Sequence, residues 1–167
     1  SRTYEYNTAG MTLAIVDEND HRTEFEYDAM KRVTPRRAMD LETRYEYDAA
    51  GNLTKVTDSR NNETVYEYDE INRLVTIRDA LDGTSIFTYD ANGNQLTVTD
   101  PLGHVTTNEY DKRNRLKKST DAGGTKSQFE YDLDNNLLQL TQTSSDDQLT
   151  RSFQYEYDAR HRVTRET

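Results

Sequence analysis

The stretch from Glu63 to Gly83, ETVYEYDEINRLVTIRDALDG, contains the pattern that decides the fold. Its first residues alternate: Tyr66 and Tyr68 lie on one side, and Val65 and Glu67 on the other. This two-residue period, in residues that favour extended backbone, predicts a β-strand.

The residues that follow Tyr68 predict a tight turn. Asp69-Glu70-Ile71 interrupts the alternation, and Asn72 comes next. The Asn72 position holds glycine or asparagine in six of eight related stretches, which indicates a positive φ angle. The residues at this position in the other stretches are Gly10, Lys31, Gly51, Gly93, Asn114, Asn135 and His161.

Residues 74–78 are rich in β-formers and predict a second strand, which a second turn follows. An aspartate is expected to open this turn by bonding to its own backbone, and Gly103 or Gly124, three residues later, to supply the flexible position. The expected opening residues are Asp17, Asp58, Asp79, Asp100, Asp121 and Asp147.

The strand and first turn recur along the whole chain as an aromatic-x-Tyr-Asp signature. Its tyrosines are spaced by 21, 20, 21, 21, 21, 21 and 26 residues. Self-similarity at a fixed period indicates a repeat array. We predict a structural role for its signature residues: Tyr6, Tyr27, Tyr47, Asp48, Tyr68, Asp69, Tyr89, Asp90, Tyr110, Asp111, Tyr131, Asp132, Tyr157 and Asp158.

Two strands and two turns use about 21 residues, which leaves no room for a helix or a parallel crossover. The chain is therefore predicted to be all-β, with eight antiparallel hairpins over residues 1–167. Because strand twist accumulates, we expect about sixteen strands to form a curved, spiralling sheet.

Two copies depart from the period. The interval from Tyr27 to Tyr47 is one residue short, and we place an irregularity or a sheet edge near Pro35, which cannot donate to a ladder. The interval from Tyr131 to Tyr157 has five extra residues, which predict a longer turn around residues 143–147.

Composition restricts the function classes. The net charge of −10 argues against nucleic acid as the main partner, and the basic residues between Lys112 and Lys118 are interpreted as a solvated strand–turn–strand surface. The chain has no cysteine, no apolar run that spans a membrane and no signal-peptide pattern.

No catalytic, cofactor-binding or metal-binding residue is predicted. The chain lacks a nucleophile elbow and a phosphate-binding loop, and His21, His104 and His161 fall on three separate turns. Weak calcium binding by carboxylate-bearing turns stays open as an alternative. Asn52-Leu53-Thr54 and Asn62-Glu63-Thr64 fit the N-glycosylation sequon, which matters only in a eukaryotic secretory pathway.

The tyrosines allow a second functional class, binding of carbohydrate or adhesion to a cell surface. Aromatic pairs such as Tyr66 and Tyr68 share one strand face and can stack on sugars. The same pairs can stack from hairpin to hairpin, and cross-strand aromatic contacts contribute roughly 0.2–1 kcal/mol each. A structural role is therefore the first interpretation, and glycan recognition the alternative.

The units 45–53 (YEYDAAGNL) and 66–74 (YEYDEINRL) resemble the YD repeat of the Rhs family. This family includes bacterial Tc-toxin shell subunits, wall-associated polymorphic toxins and teneurins. The resemblance covers essentially the whole chain, and its departures are Asn7, Lys31, Asn108 and His161.

The resemblance implies a β-sheet strip that winds into a hollow shell, which in bacterial members encloses a C-terminal toxin for delivery. It implies an exported or surface-associated parent protein, with the remaining repeats and the enclosed domain as partners. Asp100-Pro101-Leu102-Gly103 matches a motif of the family's autoproteolytic region, but its aspartate and glycine fall in the regular second-turn positions, which favours an ordinary turn.

The chain starts within a repeat and stops shortly after another has opened, so we expect a piece of a longer array. Such a piece has unpaired strand edges, which predict edge-to-edge self-association.

Overall fold

The structure, a computed structural model, describes residues 1–39 and 41–167. Within these residues the chain forms sixteen strands joined by turns and contains no helix. The strands belong to two compact units, Ser1–Thr84 and Ser85–Thr167.

The first unit contains β1 (Thr3–Tyr6), β2 (Thr12–Val16), β3 (Arg22–Tyr27), β4 (Val33–Ala38), β5 (Leu41–Tyr47), β6 (Leu53–Thr57), β7 (Glu63–Tyr68) and β8 (Leu74–Arg78). The second contains β9 (Thr84–Tyr89, which starts on the last residue of the first unit), β10 (Gln95–Thr99), β11 (Val105–Tyr110), β12 (Leu116–Thr120), β13 (Lys126–Tyr131), β14 (Leu137–Thr143), β15 (Thr150–Tyr157) and β16 (Val163–Glu166).

Within each unit, every strand pairs antiparallel with the strand that follows it in sequence. The short turns dictate this order, because a parallel connection needs a crossover of a dozen or more residues. The predicted all-β, antiparallel hairpin fold is confirmed.

Each hairpin contains a β-bulge that the sequence did not predict. In the β7–β8 pair, Tyr68 lies opposite Leu74 and Glu67 lies opposite Thr76, so Val75 is an extra residue. A register shift near the signature tyrosine occurs in all eight hairpins. A bulge bends its strand and strengthens the local twist, so this distortion belongs to the repeat itself.

The sheets have almost no enclosed core. Among the described residues only Ala14 and Thr57 are buried. In β13 the burial alternates: Phe129 and Tyr131 are half-buried and Glu130 between them is exposed. The aromatic side of this strand is therefore more covered than its other side, whereas Tyr4 and Tyr6 of β1 are exposed.

The short interval between Tyr27 and Tyr47 results from a short connection between β4 and β5, and β4 is not an edge strand because it pairs with both β3 and β5. Pro35 lies inside β4, opposite Arg44 of β5, and the pairing of β4 with β3 skips from Phe25 to Tyr27. The predicted irregularity is thus present, but an edge at Pro35 is wrong. Since Ala38 pairs with Leu41, the connection has only two residues, where five residues (58–62) join β6 to β7.

The long interval is mostly extended strand. β14 has seven residues and β15 has eight, whereas β12 has five and β13 has six. The turn between β14 and β15 has six residues, 144–149, one more than the five between β12 and β13. The predicted lengthening of the turn therefore accounts for little of the insertion, which instead makes one hairpin longer than its neighbours.

The described part of the chain has no helix that is long and apolar enough to span a membrane.

Candidate functional site

The turn after each signature tyrosine, here called the YD turn, is organised by the side chain of its first residue. In the turn at Asp69, the backbone N–H of Asp69 donates to the carbonyl of Arg73 at 2.9 Å, and that of Asn72 donates to the carbonyl of Asp69 at 3.0 Å. The Asp69 Oδ1 atom accepts from the backbone N–H groups of Ile71 and Arg73 at 3.0 and 2.9 Å. The carboxylate thus satisfies turn donors that have no other partner in a hairpin of this length.

The same double acceptance recurs in six other YD turns, those that begin at Asn7, Asp28, Asp90, Asp111, Asp132 and Asp158. In every YD turn the fourth residue has a positive φ, between 59° and 97°. The prediction made for Asn72 and its equivalents is therefore confirmed, including at the non-glycine residues Lys31 and His161.

These bonds lower the pKa of the turn carboxyls. The backbone N–H of Arg73 is the main cause of the lowered pKa of Asp69, and the side chain of Asn52 is the main cause at Asp48. The pKa values of Asp28, Asp90, Asp111, Asp132 and Asp158 are lowered by bonds of the same kinds. Ionised carboxylates are the better acceptors, so the turns favour the charged form.

In the turns that join consecutive hairpins, here called return turns, the side chain of the first residue also accepts hydrogen bonds from the turn backbone. Asp58 Oδ1 accepts from the backbone N–H groups of Arg60 and Asn62 at 2.8 and 2.9 Å. His21 and His104 have the exposed turn positions predicted for them, with Nδ1 at 3.1 Å from Asp17 Oδ2 and 2.8 Å from Asp100 Oδ2.

One return turn departs from the sequence prediction. Asp147 does not open its turn but lies at the position of positive φ, at 57°. Ser144 takes the opening position, and its hydroxyl accepts from the backbone N–H of Leu149 at 3.0 Å. Asp147 lies ten residues before Tyr157, as Asp121 does before Tyr131, but the longer β15 and the extra turn residue leave it at the fourth position of the turn instead of the first.

Six signature tyrosines join their own hairpin to the hairpin before it in the same unit. The Tyr68 hydroxyl donates to the carbonyl of Leu53 at 3.0 Å, and Tyr131 donates to Leu116 at 3.0 Å. Four more tyrosines make the same bond, Tyr27, Tyr47, Tyr110 and Tyr157, at 2.7–3.1 Å. Half-burial raises the pKa of Tyr47, Tyr68 and Tyr131, so these hydroxyls keep the proton that they donate.

Asn108, the one non-aromatic residue in the first position of the signature, also joins two strands. Its Nδ2 atom donates to the carbonyl of Gln95 at 3.1 Å, the same acceptor that Tyr110 uses. Ring stacking occurs between Tyr4 and Tyr6 within β1, at 6.3 Å between centroids. Between hairpins, the tyrosine contacts described above are hydroxyl-to-carbonyl bonds.

The fifth residue of the YD turn makes a second link between hairpins. In the turn at Asp28 this residue is Arg32, whose Nε donates to Asp28 Oδ2 at 2.7 Å. Its Nη1 donates to the carbonyl of Asp48 in the next turn at 3.0 Å, and its guanidinium lies 4.6 Å from the ring centroid of Tyr47. A cation over an aromatic face adds roughly 0.5–1 kcal/mol at exposed sites.

Arg115 repeats this arrangement in the second unit. It pairs with Asp111, donates to the carbonyl of Asp132 at 2.7 Å, and lies 4.7 Å from the ring centroid of Tyr131.

Asparagine at the fifth position makes a different link. Asn52 Nδ2 donates to Asp48 Oδ2 at 2.8 Å and to Asn72 Oδ1 of the next turn, also at 2.8 Å. Asn94 likewise donates to Asn114 Oδ1 at 2.9 Å. Here the partner is the side chain at the fourth position of the following turn.

Arginine and asparagine alternate at the fifth position of the YD turns, except in the first turn, which has Met11. From the second YD turn to the eighth, the fifth position holds Arg32, Asn52, Arg73, Asn94, Arg115, Asn136 and Arg162. The link itself varies between copies: Asn136 contacts the next turn through its Oδ1 atom, 3.1 Å from His161 Nδ1, and Arg115 also donates to Asn135 Oδ1 at 3.2 Å. The alternation is present in the sequence at the fifth residue after every signature tyrosine from Tyr27 onward, but it was not predicted.

The opposite face of each sheet carries cross-strand ion pairs. Lys55 Nζ lies 2.8 Å from Glu46 and 3.3 Å from Glu63, and Arg37 pairs with Glu26 and Glu42. These pairs are largely exposed, and such pairs contribute about 0–1 kcal/mol each.

The basic stretch between Lys112 and Lys118 is partly engaged within the sheet. Lys118 Nζ lies 3.0 Å from Glu109, and Arg113 donates to the carbonyl of Leu133 at 2.7 Å. With Arg115 bound to Asp111, three of its five cations have partners in the chain. This agrees with its interpretation as a strand–turn–strand surface.

The grooves on the surface do not concentrate aromatic rings. A groove of about 520 Å³ beside the β4–β5 connection is lined by charged side chains that include Arg22, Glu24, Arg37 and Glu42. Sugar sites that stack on tyrosine need ring faces at the groove wall, and this groove offers ion pairs instead.

Asp100-Pro101-Leu102-Gly103 forms an ordinary return turn, as its position in the repeat predicted. The N–H of Asp100 donates to the carbonyl of His104, and that of Gly103 to the carbonyl of Asp100, both at 2.9 Å. In the part of the chain that the structure describes, no group of three or more His, Asp or Glu side chains is arranged to hold a metal ion.

Comparison with solved structures shows what the fold is similar to. A crystal structure of TcdB2-TccC3-Cdc42 matches 97% of this chain with a TM-score of 0.83 at 16% identity. A structure of a Tc holotoxin pore of Photorhabdus luminescens matches 98% of it with the same TM-score and identity. In both cases the match covers 10% of the solved chain, so this chain spans about a tenth of their length.

Comparison with curated proteins gives no match. The family model described as RHS Repeat matches residues 36–63, 47–84, 68–107 and 110–146, which together make up more than half of the chain. The hairpin repeat, its YD turns and these matches agree: the chain belongs to the RHS repeat family.

Proposed function

We propose that the chain is a non-enzymatic segment of a shell wall that encloses a polypeptide, a C-terminal toxin or effector, carried by the same parent protein for delivery. The observation that carries the proposal is the double interlock between neighbouring hairpins of a unit, in which a tyrosine hydroxyl and a turn side chain fasten one hairpin to the next, as Tyr47 and Arg32 do. An interlock that recurs from hairpin to hairpin extends a wall and creates no unique site.

The burial pattern supports this role. A single-layer sheet in which only two described residues are buried has no core of its own to protect. Its two faces differ, with half-buried tyrosines on one and exposed ion pairs on the other. A wall needs this asymmetry if it is to separate an interior from solvent.

The proposal extends to the parent protein. The 167 residues are a piece of a longer array, the partners are the remaining repeats and the enclosed domain, and the parent is secreted or displayed at the cell surface. The signature residues, from Tyr6 to Asp158, hold the wall together. Recognition of glycans is the alternative, and it has less support because six signature hydroxyls are already bonded to carbonyl groups.

Limited proteolysis of the full parent protein, followed by mass mapping, tests the enclosure. A segment downstream of the array should resist protease while the array is intact. The Tyr131→Ala variant removes a ring and a hydroxyl link and should expose that segment, whereas Arg60→Ala, at an exposed return turn, should not. If the downstream segment of the unmodified protein is cut as fast as an exposed domain, and Tyr131→Ala does not change that rate, the wall encloses nothing.

A further inference from the structure

The YD turn that begins at Asp90 contains Asn92, the only asparagine of the sequence that glycine follows. Asn92 is the third residue of the turn and Gly93 the fourth, and both are exposed. Gly93 has a φ of 89°, and a Cβ atom built on it would meet no heavy atom of the described residues within 4 Å beyond its chain neighbours. The backbone nitrogen of Gly93 is therefore sterically accessible.

An exposed asparagine before glycine can react with its own backbone. Once its proton has passed to solvent, the Gly93 amide nitrogen attacks the Cγ atom of Asn92. A nitrogen–carbon bond forms, the Cγ–Nδ2 bond breaks, and ammonia leaves with a proton from water. Water then opens the cyclic imide. Cleavage at Cγ leaves aspartate, whereas cleavage at the backbone carbonyl carbon leaves isoaspartate, in which the main chain runs through the side chain.

Hydrogen bonding distinguishes Asn92 from the asparagines at the fourth position of a turn. In those turns the attacking nitrogen belongs to the fifth residue, whose N–H donates to the turn carboxylate at 2.8–3.0 Å; they contain Asn61, Asn72, Asn114 and Asn135. A carboxylate beside this nitrogen opposes the loss of its proton, because two negative charges would repel. The Gly93 N–H donates instead to the neutral carbonyl of Asp90, at 3.2 Å.

Two other sites share part of this arrangement. Asn19 is the third residue of a return turn, and the Asp20 N–H donates to a backbone carbonyl at 3.2 Å, but Asp20 has a Cβ atom and a charged side chain. Asp82 precedes Gly83, but the Gly83 N–H donates to Asp79 Oδ1 at 2.9 Å, and a carboxylate is a poorer electrophile than an amide. Among the described residues, the amide, the glycine and the neutral acceptor occur together at one position.

The reaction changes a contact between two hairpins. Asn92 Nδ2 donates to Asn114 Oδ1 of the next YD turn at 3.1 Å, and Asn94 Nδ2 donates to the same oxygen at 2.9 Å. Aspartate has no donor for this bond and places a second acceptor beside the oxygen. Isoaspartate also lengthens the main chain, inside a turn whose Asn92 and Asn94 N–H groups both donate to Asp90 Oδ1.

We propose that Asn92 is a site of spontaneous deamidation in the folded protein, where one of the two hydrogen bonds to Asn114 is lost. The inference goes beyond the proposed function, because it concerns the covalent ageing of one turn and not what the wall encloses. Asp134 is the third residue of its own turn, and its N–H donates to Asp132 Oδ1 at 2.9 Å. The Asn92 N–H makes the same bond to Asp90 Oδ1. The turn therefore accepts aspartate, and isoaspartate is the product that distorts it.

Peptide mapping by mass spectrometry tests the proposal on the 167-residue chain after incubation in neutral buffer. We expect the peptide with Asn92 to be the first to exchange ammonia for water, and to give both aspartate and isoaspartate forms. The same chain unfolded in urea gives the rate without the turn. A folded rate more than about tenfold below the unfolded rate, a barrier higher by about 1.4 kcal/mol, would overturn the proposal. Equal rates at Asn92 and Asn19 would also overturn it.

The Gly93→Asn variant tests the role of the glycine. Asparagine has a positive φ at this position in the turns with Asn72 and Asn114, so the turn is kept. The added Cβ atom crowds the attacking nitrogen, and Asn92 should react at least about tenfold more slowly, which corresponds to about 1.4 kcal/mol in the barrier. An unchanged rate would contradict the assignment.

The Asn92→Ala variant tests the consequence for stability. Alanine is the third residue in the turns that contain Gly10 and Gly51, so it fits the turn and cannot deamidate. The midpoint of urea unfolding should fall with incubation time for the unmodified chain and stay constant for Asn92→Ala. If both midpoints fall at the same rate, the reaction does not weaken the contact with Asn114, and that part of the proposal is wrong.

Discussion

At the scale of single residues, the two aromatic positions of the signature have different tasks. The second position holds tyrosine in all eight copies, whereas the first also holds Phe25, Phe87, Phe129 and Asn108. The structure supplies the reason, because six of the second-position hydroxyls donate to a carbonyl of the preceding hairpin. The first position requires packing, and a phenyl ring provides it.

This difference predicts the effect of removing one hydroxyl group. Tyr68→Phe should lower the free energy of unfolding by about 1 kcal/mol, because the Leu53 carbonyl loses a half-buried donor. Tyr66→Phe is the matched control, since phenylalanine occurs naturally at that position, and it should stay within about 0.5 kcal/mol of the parent. Urea titrations followed by circular dichroism compare the two; equal losses would contradict the assignment.

At the scale of the hairpin, much of the structure was present in the sequence. The two-residue alternation predicted the strands, and the glycines and asparagines at one position predicted positive φ, because few other residues adopt that backbone readily. The bulges were not predicted, since Val75 differs in nothing visible from the other β-formers of its strand. The site was predicted less completely, because the links through Arg32 and Asn52 depend on side-chain geometry across two turns, which the order of the hairpins alone does not define.

The YD turn gives a prediction about its first residue. Asp69→Ala removes the acceptor for two backbone N–H groups, whereas Asp69→Asn keeps it and loses only the charge paired with Arg73. Asn7 shows that an amide oxygen can accept both turn bonds, at 3.0 and 2.9 Å. We therefore expect the midpoint of urea unfolding to fall clearly for Asp69→Ala and only slightly for Asp69→Asn. A larger fall of the midpoint for Asp69→Asn than for Asp69→Ala would contradict the stabilising role of the two turn hydrogen bonds.

The elongated β14–β15 hairpin gives a second prediction at this scale. Its return turn approaches the preceding return turn, so that a Cβ atom on Gly124 would lie 2.8 Å from the Cβ of Ser145. Gly103 has nearly the same φ, 82° against 85°, and nothing within 4 Å. Gly103→Ala should lower the free energy of unfolding by about 1–2 kcal/mol through backbone strain alone. Gly124→Ala adds the clash with Ser145, so its melting temperature should fall further than that of Gly103→Ala. Equal costs would mean that the two return turns do not touch in solution.

At the scale of the whole molecule, hydrogen bonds to the turn aspartates lower their pKa values all along the chain. Eleven turn aspartates have a lowered pKa: Asp17, Asp28, Asp48, Asp58, Asp69, Asp90, Asp100, Asp111, Asp132, Asp146 and Asp158. Each lowered pKa means that the ionised carboxylate stabilises the folded state slightly, and all eleven act in the same direction. Protonation of these carboxylates by acid therefore lowers the free energy of unfolding of the array.

The sign of the effect follows from linkage. A carboxyl whose pKa is lower in the folded state stabilises the fold fully above its unfolded pKa, about 3.9, and the contribution is lost as the pH falls through the folded value. The urea midpoint should therefore change little from pH 7 to about pH 5 and fall steeply below about pH 4. Asp69→Asn should flatten the curve slightly. A midpoint that is level down to pH 3 would contradict a stabilising role for the ionised turns.

The scarcity of buried residues has a consequence for how such chains diverge. In an ordinary domain, neighbouring core side chains constrain one another, and a change of volume at one site limits what the others tolerate. Here only Ala14 and Thr57 are buried among the described residues, so few side chains are enclosed by others. Substitutions can therefore accumulate almost independently of one another wherever the turn and hydroxyl contacts persist. A chain built in this way can exchange most of its side chains and keep its fold.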